Sequence, residues 1–142
     1  MTNRSGAPCA SRKKSPPLDI HRTSMYRSAM ISKDLVAASS RPLILSILEE
    51  EGESYGYAIL QKVRELSKEE INWTDGMLYP VLHRLEREEL ITAAWKEAET
   101  GRERKYYRLT QSGRDALREE REQWLTVHNS LARLWGLKTV SI

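Results

Sequence analysis

The sequence predicts an α+β protein, mainly helical: three helices, a β-hairpin and a long closing helix. Three observations predict it. Apolar residues recur at helical spacing in successive stretches between Pro42 and Leu85. Two short alternating runs, 91–96 and 104–109, flank a Thr100-Gly101 turn. Leu117, Trp124 and Leu131 then recur every seven residues on a final helix. A chain of 142 residues with 39% hydrophobic composition suits one core of about 100 residues plus an arm. No apolar run approaches the roughly 20 residues of a membrane span.

Residues 1–30 are rich in Ser, Pro and basic side chains and follow neither a helical nor a strand period. They read as a disordered basic tail. No apolar stretch follows the charges, so they are not a secretory signal. Met25 and Met30 offer alternative starts, and composition changes just after Met30. A tail without function is the favoured expectation, a gene-start artefact being one form of it, with an arm that attracts phosphate as the alternative. Cys9 is the single cysteine. It leaves no internal disulfide and no multi-cysteine zinc site, which suits a reducing compartment.

Order is expected from Ile31, with a short turn opened by Ser32-Lys33-Asp34. Pro42 is placed in the first turn of the first helix, where its missing N–H costs nothing. Leu43, Ile44, Ile47 and Leu48 are its buried side, and Glu49 to Gly52 end it. A second helix runs from Tyr55-Gly56 to about Ser67 and buries Ile59, Leu60, Val63 and Leu66. Ser67 to Thr74 is a polar connection around Trp73. Asp75 is the expected N-cap of a third helix over 76–89. Leu78, Val81, Leu82 and Leu85 line its inner side. Gly76, Tyr79, His83, Arg84 and Arg87 line its outer side.

The hairpin follows. Ile91, Ala93 and Trp95 share one face of its first strand, and Lys105, Tyr107 and Leu109 share one face of its second. Thr110 or Ser112 caps the last helix, which is expected to reach about Leu137. The domains are thus a tail at 1–30, a winged helix-turn-helix at 31–110 and a dimerisation helix with the chain end at 111–142. The physical logic is that a helix about 10 Å across fits the major groove of B-DNA, while a hairpin just after it reaches the flanking backbone or minor groove.

Charge supports that logic by position rather than by sum. The chain carries 23 Lys+Arg and 20 Asp+Glu, a net +3. Residues 1–30 hold six of the basic residues and one acid, so 31–142 hold 17 against 19, a net −2. Within that acidic body, 102–108 carry Arg102, Arg104, Lys105 and Arg108 against Glu103 alone.

Three segments also carry a resemblance: Tyr55-Gly56-Tyr57, then GMLYPVLHRLE at 76–86, then GRERKYYRLT at 101–110 with Ser112-Gly113. In this order and spacing the chain resembles the PadR family of bacterial transcriptional regulators over roughly 34–136. The resemblance implies a homodimer on a palindromic operator, usually a repressor, released by a small and often aromatic molecule. It also implies the smaller subfamily, with a single C-terminal helix. Two positions depart from the family pattern. Tyr55 stands where many members have His, and Glu89 where members usually have Gly. Glu89 must strain into a left-handed cap or end the third helix another way.

The candidate DNA contacts are Tyr79, His83 and Arg84 on the third helix and Gly101, Arg102, Arg104 and Lys105 on the wing. Tyr79 and Arg84 suit phosphate, Arg84 also a guanine edge, and His83 a base edge or phosphate. Gly101 permits the turn. Tyr106 and Tyr107 are expected to pack the sheet, and Trp73 the core. The dimer is assigned to Leu117, Trp124, Leu131 and Trp135, the alternative being that this stripe folds back on the first helix. An effector pocket is expected at Trp124 and His128, with plain interface packing as the alternative.

No nucleotide-binding glycine loop and no clustered His and carboxylate set occurs, so no enzyme, cofactor or metal is expected. The expected partners are double-stranded DNA, a second copy of the chain and a small aromatic effector, without a membrane. The expected place is the cytoplasm, on the nucleoid. A winged-helix adaptor between proteins, without specific DNA binding, is the competing reading. A nucleoid-type binder that relies on the basic tail is a third.

Overall fold

A computed structural model describes residues 31–141. The tail at 1–30, with Cys9, lies outside the described residues, as does residue 142. The elements are α1 Lys33–Glu51, β1 Ser54–Tyr55, α2 Gly56–Leu66, α3 Asp75–Arg87, β2 Ile91–Glu97, β3 Glu103–Leu109 and α4 Gln111–Trp135. The sheet is antiparallel in the order β1-β3-β2. A helical body with a three-stranded sheet and a long closing helix is the expected class.

The first helix departs from expectation. Pro42 lies inside one helix of 19 residues, not at the start of a shorter one. The helix begins upstream because Ser32 caps it, its Oγ accepting from Leu35 N–H at 3.0 Å. The proline ring forfeits the bond to Ala38 C=O, at a residue exposed on the surface of the helix. Ser39 and Ser40 Oγ donate to Val36 and Ala37 C=O in the same turns. Downstream, Ile44, Leu45, Ile47 and Leu48 are all buried, while Ser46, Glu49 and Glu50 face solvent.

The two-residue β1 was invisible to a pattern search. It pairs Ser54 with Tyr107 and Tyr55 with Tyr106, which ties the start of α2 to the hairpin. Trp73 is core, as expected. Helix α3 begins at Asp75 itself, with Thr74 in the N-cap position and no side-chain cap bond. Asp75 instead sits in the first turn, where its charge suits the helix dipole.

The end of α3 answers the question raised by Glu89. Its φ is +60°, and Glu89 N–H bonds Glu86 C=O while Leu90 N–H bonds Leu85 C=O, each at 3.0 Å. That is the double bond pattern of a left-handed helix cap. Glu89 therefore adopts the glycine conformation without being glycine, and α3 stops at Arg87, two residues short of the expected end. Glu89→Gly is expected to stabilise the fold by about 1 kcal/mol, read as a rise in the midpoint of chemical unfolding.

The hairpin strands each run one residue further towards the turn than expected. Tyr107 is buried, and burial pushes its hydroxyl up to about 12, with smaller contributions from Tyr79 and Glu86. Helix α4 is capped by Thr110, whose Oγ1 accepts from Gly113 N–H at 2.9 Å and lies 2.8 Å from Glu89 C=O. Gly113 is tightly hemmed there: a Cβ would collide with Leu90 C=O and meet Leu109 Cδ2 at 3.0 Å. Gly113→Ala is expected to cost about 2 kcal/mol and lower the thermal midpoint by roughly 10 °C, measured by calorimetry.

The stripe on α4 is divided. Leu117 is 1% exposed and belongs to the chain's own core, which corrects its assignment to the dimer. Beside it Glu120 pairs with Arg41 at 3.2 Å and Arg121 with Glu49 at 3.1 Å, so α1 covers this end of α4. Arg41 also pairs with Glu88 at 2.8 Å. Burial opposes the Arg41 charge, but the two carboxylates outweigh it and raise its pKa. Past this point the stripe is open: Trp124, Leu131 and Trp135 are exposed, with Val127 and Leu134 on the same side.

The chain ends in a way the sequence did not suggest. Helix α4 stops at Trp135, earlier than expected, with Gly136 left-handed at φ +71°. Residues 137–141 turn back, and the Asn129 side-chain amide clasps Val140. Nδ2 donates to Val140 C=O at 2.7 Å, and Oδ1 accepts Val140 N–H at 2.8 Å.

Candidate nucleic-acid interface

Helix α3 turns Leu78, Leu82 and Leu85 inward, which fixes what its other side presents. Tyr79, His83, Arg84 and Arg87 are exposed there, as the spacing predicted. His83, Arg84 and Arg87 form no ion pair among the described residues. Tyr79 is 38% exposed and passes over the start of α2, where a Cβ on Gly56 would collide with its hydroxyl. Gly56 and Tyr79, from two separate segments of the recognised pattern, are thus one packing unit. The tyrosine ring is held by the body while its edge stays open.

The hairpin divides its cations between faces. Gly101, at φ +89°, makes the turn, with Ala98 N–H bonded to Arg102 C=O at 2.8 Å. Arg102 is exposed beside that turn without an ion pair among the described residues. Arg104 lies on the face away from α3, its guanidinium 4.0 Å from the centre of the Tyr55 ring. Tyr55 meets Tyr106 edge-on at 5.6 Å, and Lys96 covers Tyr106 while pairing with Glu53 at 2.6 Å. Tyr106 and Tyr107 thus pack the sheet as expected. Lys105 lies on the opposite face, 3.7 Å from Glu86 on α3. Arg104 and Lys105 are neighbours in sequence but point to opposite sides of the wing.

Between α3 and the wing lies a cleft of about 500 Å³. Tyr79 and His83 line it from the helix, Trp95 and Lys105 from the hairpin, and Tyr57 from α2. Trp95 shares its strand face with Ile91 and Ala93, as the alternation predicts, yet it is 63% exposed. The alternation was right, but the strand outruns the core after Ala93. Arg87 and Arg108, also exposed and unpaired among the described residues, were left out of the candidate set. Arg87 follows His83 and Arg84 at helical spacing, which was signal enough. Trp124 and His128 are both exposed on α4.

Three helices, a sheet-borne hairpin after the third, and open cations on both define a winged helix-turn-helix protein. The family model described as "Transcriptional regulator PadR-like family" matches residues 44–119, and the chain belongs to that family. It is 32% identical over 98 residues to an uncharacterised protein of Lysinibacillus sphaericus, covering 69% of this chain and 89% of that one. It is 43% identical over 58 residues to "Transcriptional regulator Rv3488" of Mycobacterium tuberculosis, covering 41% of this chain and 53% of that one. A transcriptional regulator from Clostridium thermocellum superposes with a TM-score of 0.65 at 31% identity, over 73% of this chain and 97% of that one. A PadR-like regulator from Bacillus cereus gives 0.65 at 28% identity, over 75% and 100%. The chain is thus a DNA-binding transcriptional regulator by family, and the family is one of regulators rather than enzymes. No helix among the described residues is long and apolar enough to cross a membrane.

Proposed function

We propose that the chain is a homodimeric repressor that reads a palindromic operator in the cytoplasm and is released by a small aromatic molecule. One observation carries the DNA-reading part. Within an acidic body, Arg84, Arg87, Arg102 and Arg108 lack ion pairs among the described residues and gather on α3 and the wing. On the other helices Arg41, Lys62, Arg118 and Arg121 are paired, whereas Lys33, Arg64, Arg114 and Arg133 also lack ion pairs among the described residues, so it is the clustering on α3 and the wing that distinguishes the set. Unneutralised cations on a groove-sized helix and its hairpin are the footprint of phosphate.

In this reading α3 enters the major groove. Arg84 and His83 reach base edges or phosphates, and Tyr79 donates to phosphate. Arg102 and Arg104 act on the flanking backbone, with Gly101 setting the turn and Lys105 facing the strand beside α3. Two copies, joined through Trp124, Leu131 and Trp135, place two such units on half-sites about 10 base pairs apart. The effector sits where Trp124 and His128 of both copies meet, an aromatic site completed only by pairing.

The test is fluorescence anisotropy with a duplex from the gene's own upstream region, against a shuffled duplex, over a salt series. A preference for the native duplex that persists near ~0.15 M salt is expected. Equal, salt-labile binding to both duplexes overturns specific reading of that region. Dimer formation without any duplex binding favours the adaptor.

A further inference from the structure

Trp95 has no role in the fold that explains it. It lies on the core side of β2 with Ile91 and Ala93, yet it is 63% exposed. Its cross-strand partner is Lys105, one step past the pair Ala93 and Tyr107 that the core still backs. An open indole on a strand otherwise alternating with polar residues marks a contact surface rather than a packing error. Its surroundings name the partner. The cleft it lines also holds Tyr57, Tyr79, His83, Lys105 and Glu103. That set offers aromatic surface, a phenol donor, an imidazole and an ammonium, against one carboxylate near the wing tip.

Topology narrows the partner further. A helix in the major groove and a hairpin in the next minor groove are separated by one sugar–phosphate strand. A chain that puts α3 in one groove and the wing in the other must run that strand through the cleft between them. We propose that Trp95 is a DNA-backbone contact: its indole closes on the deoxyribose face of the separating strand, opposite Tyr79 and His83. Lys105, held at only 3.7 Å from Glu86, turns to the adjacent phosphate. The inference rests on the DNA-binding reading and adds to it a contact that carries no charge and reads no base.

The experiment compares the full chain with Trp95→Ala and Trp95→Phe on a mixed-sequence duplex of roughly three helical turns, titrated over a salt series. Trp95→Ala is expected to bind about tenfold more weakly with the salt slope unchanged, because an apolar contact releases no counterion. Trp95→Phe should recover most of the loss. The fluorescence difference between wild type and Trp95→Phe should be shielded from acrylamide once duplex is added. An exposed side chain predicts an unchanged thermal midpoint, which separates this loss from misfolding. Wild-type affinity in Trp95→Ala overturns the inference while leaving the DNA-binding reading intact. So does a changed salt slope, or a change in oligomeric mass at constant DNA affinity, which assigns the indole to a protein partner. Failure of the wild type to bind any duplex overturns both.

Discussion

Replacing Arg102 and Arg104 together with alanine is expected to lower duplex affinity about a hundredfold, at two charge-assisted contacts of roughly 1.4 kcal/mol each. The slope of log affinity against log salt should flatten by about two, one counterion for each cation lost. The two residues contribute differently. Arg102 is exposed beside Gly101 and is oriented by the turn. Arg104 is aimed by the Tyr55 ring beneath its guanidinium, at 4.0 Å. Arg104→Lys keeps the charge but loses the planar stacking, so it should keep the salt slope and lose part of the affinity. Neither side chain belongs to the core, so the oligomeric mass should not change. Titration by anisotropy with light scattering in parallel checks both halves. Unaltered binding in the double variant removes the wing from the interface.

Why the wing was readable and its geometry was not follows from what each rule sees. Alternation at 91–96 and 104–109 reports a strand period, and the observed register keeps it, pairing Ile91 with Leu109 through Glu97 with Glu103. The same alternation says nothing about where the body ends, so it does not show that the face shared by Ile91, Ala93 and Trp95 leaves the core after Ala93. Pro42 misled for the opposite reason. The rule that proline opens helices is local, and here the cap at Ser32 and the burial of Ile44 to Leu48 outweigh one lost backbone bond. Two residues of β1 are too few to show a period, and they form because Tyr106 and Tyr107 stand ready to pair. The Asn129 clasp depends on a chain reversal at Gly136 that no spacing encodes. Glu89 shows how far a family pattern reaches. It marked the position as a left-handed cap, and φ +60° agrees.

The candidate site was legible to the extent that it lies on a helix. Tyr79, His83 and Arg84 share a face because 3.6 residues per turn puts them there. What the sequence does not state is neutralisation. Lys105 and Arg102 look alike as letters, but one faces Glu86 and the other faces water. Only the arrangement of carboxylates distinguishes a cation that must first leave a partner from one already free for phosphate.

Placing a charge on the open half of α4 is expected to have the largest effect of all. The helix runs 25 residues, about 37 Å, and α1 covers its stripe only as far as Arg121. Beyond that Trp124, Leu131, Leu134 and Trp135 stay exposed, Leu134 at 81%. An apolar face of this length is stable in water when a matching face covers it, and a second α4 is the matching face at hand. In a two-fold interface each copy supplies the same residue, so Leu131→Glu buries two carboxylates with no cation opposite them on the stripe. Self-association is expected to weaken about a thousandfold, some 4 kcal/mol, giving a monomer by analytical ultracentrifugation. Leu131 is not core, so the monomer should keep its helical spectrum. Operator affinity should fall with the dimer, because two half-sites no longer bind as one ligand. Leu117→Val separates the two halves of the stripe. It loosens the core of one chain and lowers the thermal midpoint while the dimer survives, because Leu117 is already covered by its own chain. A dimer that survives Leu131→Glu places the interface elsewhere and leaves the open stripe of α4 for another partner.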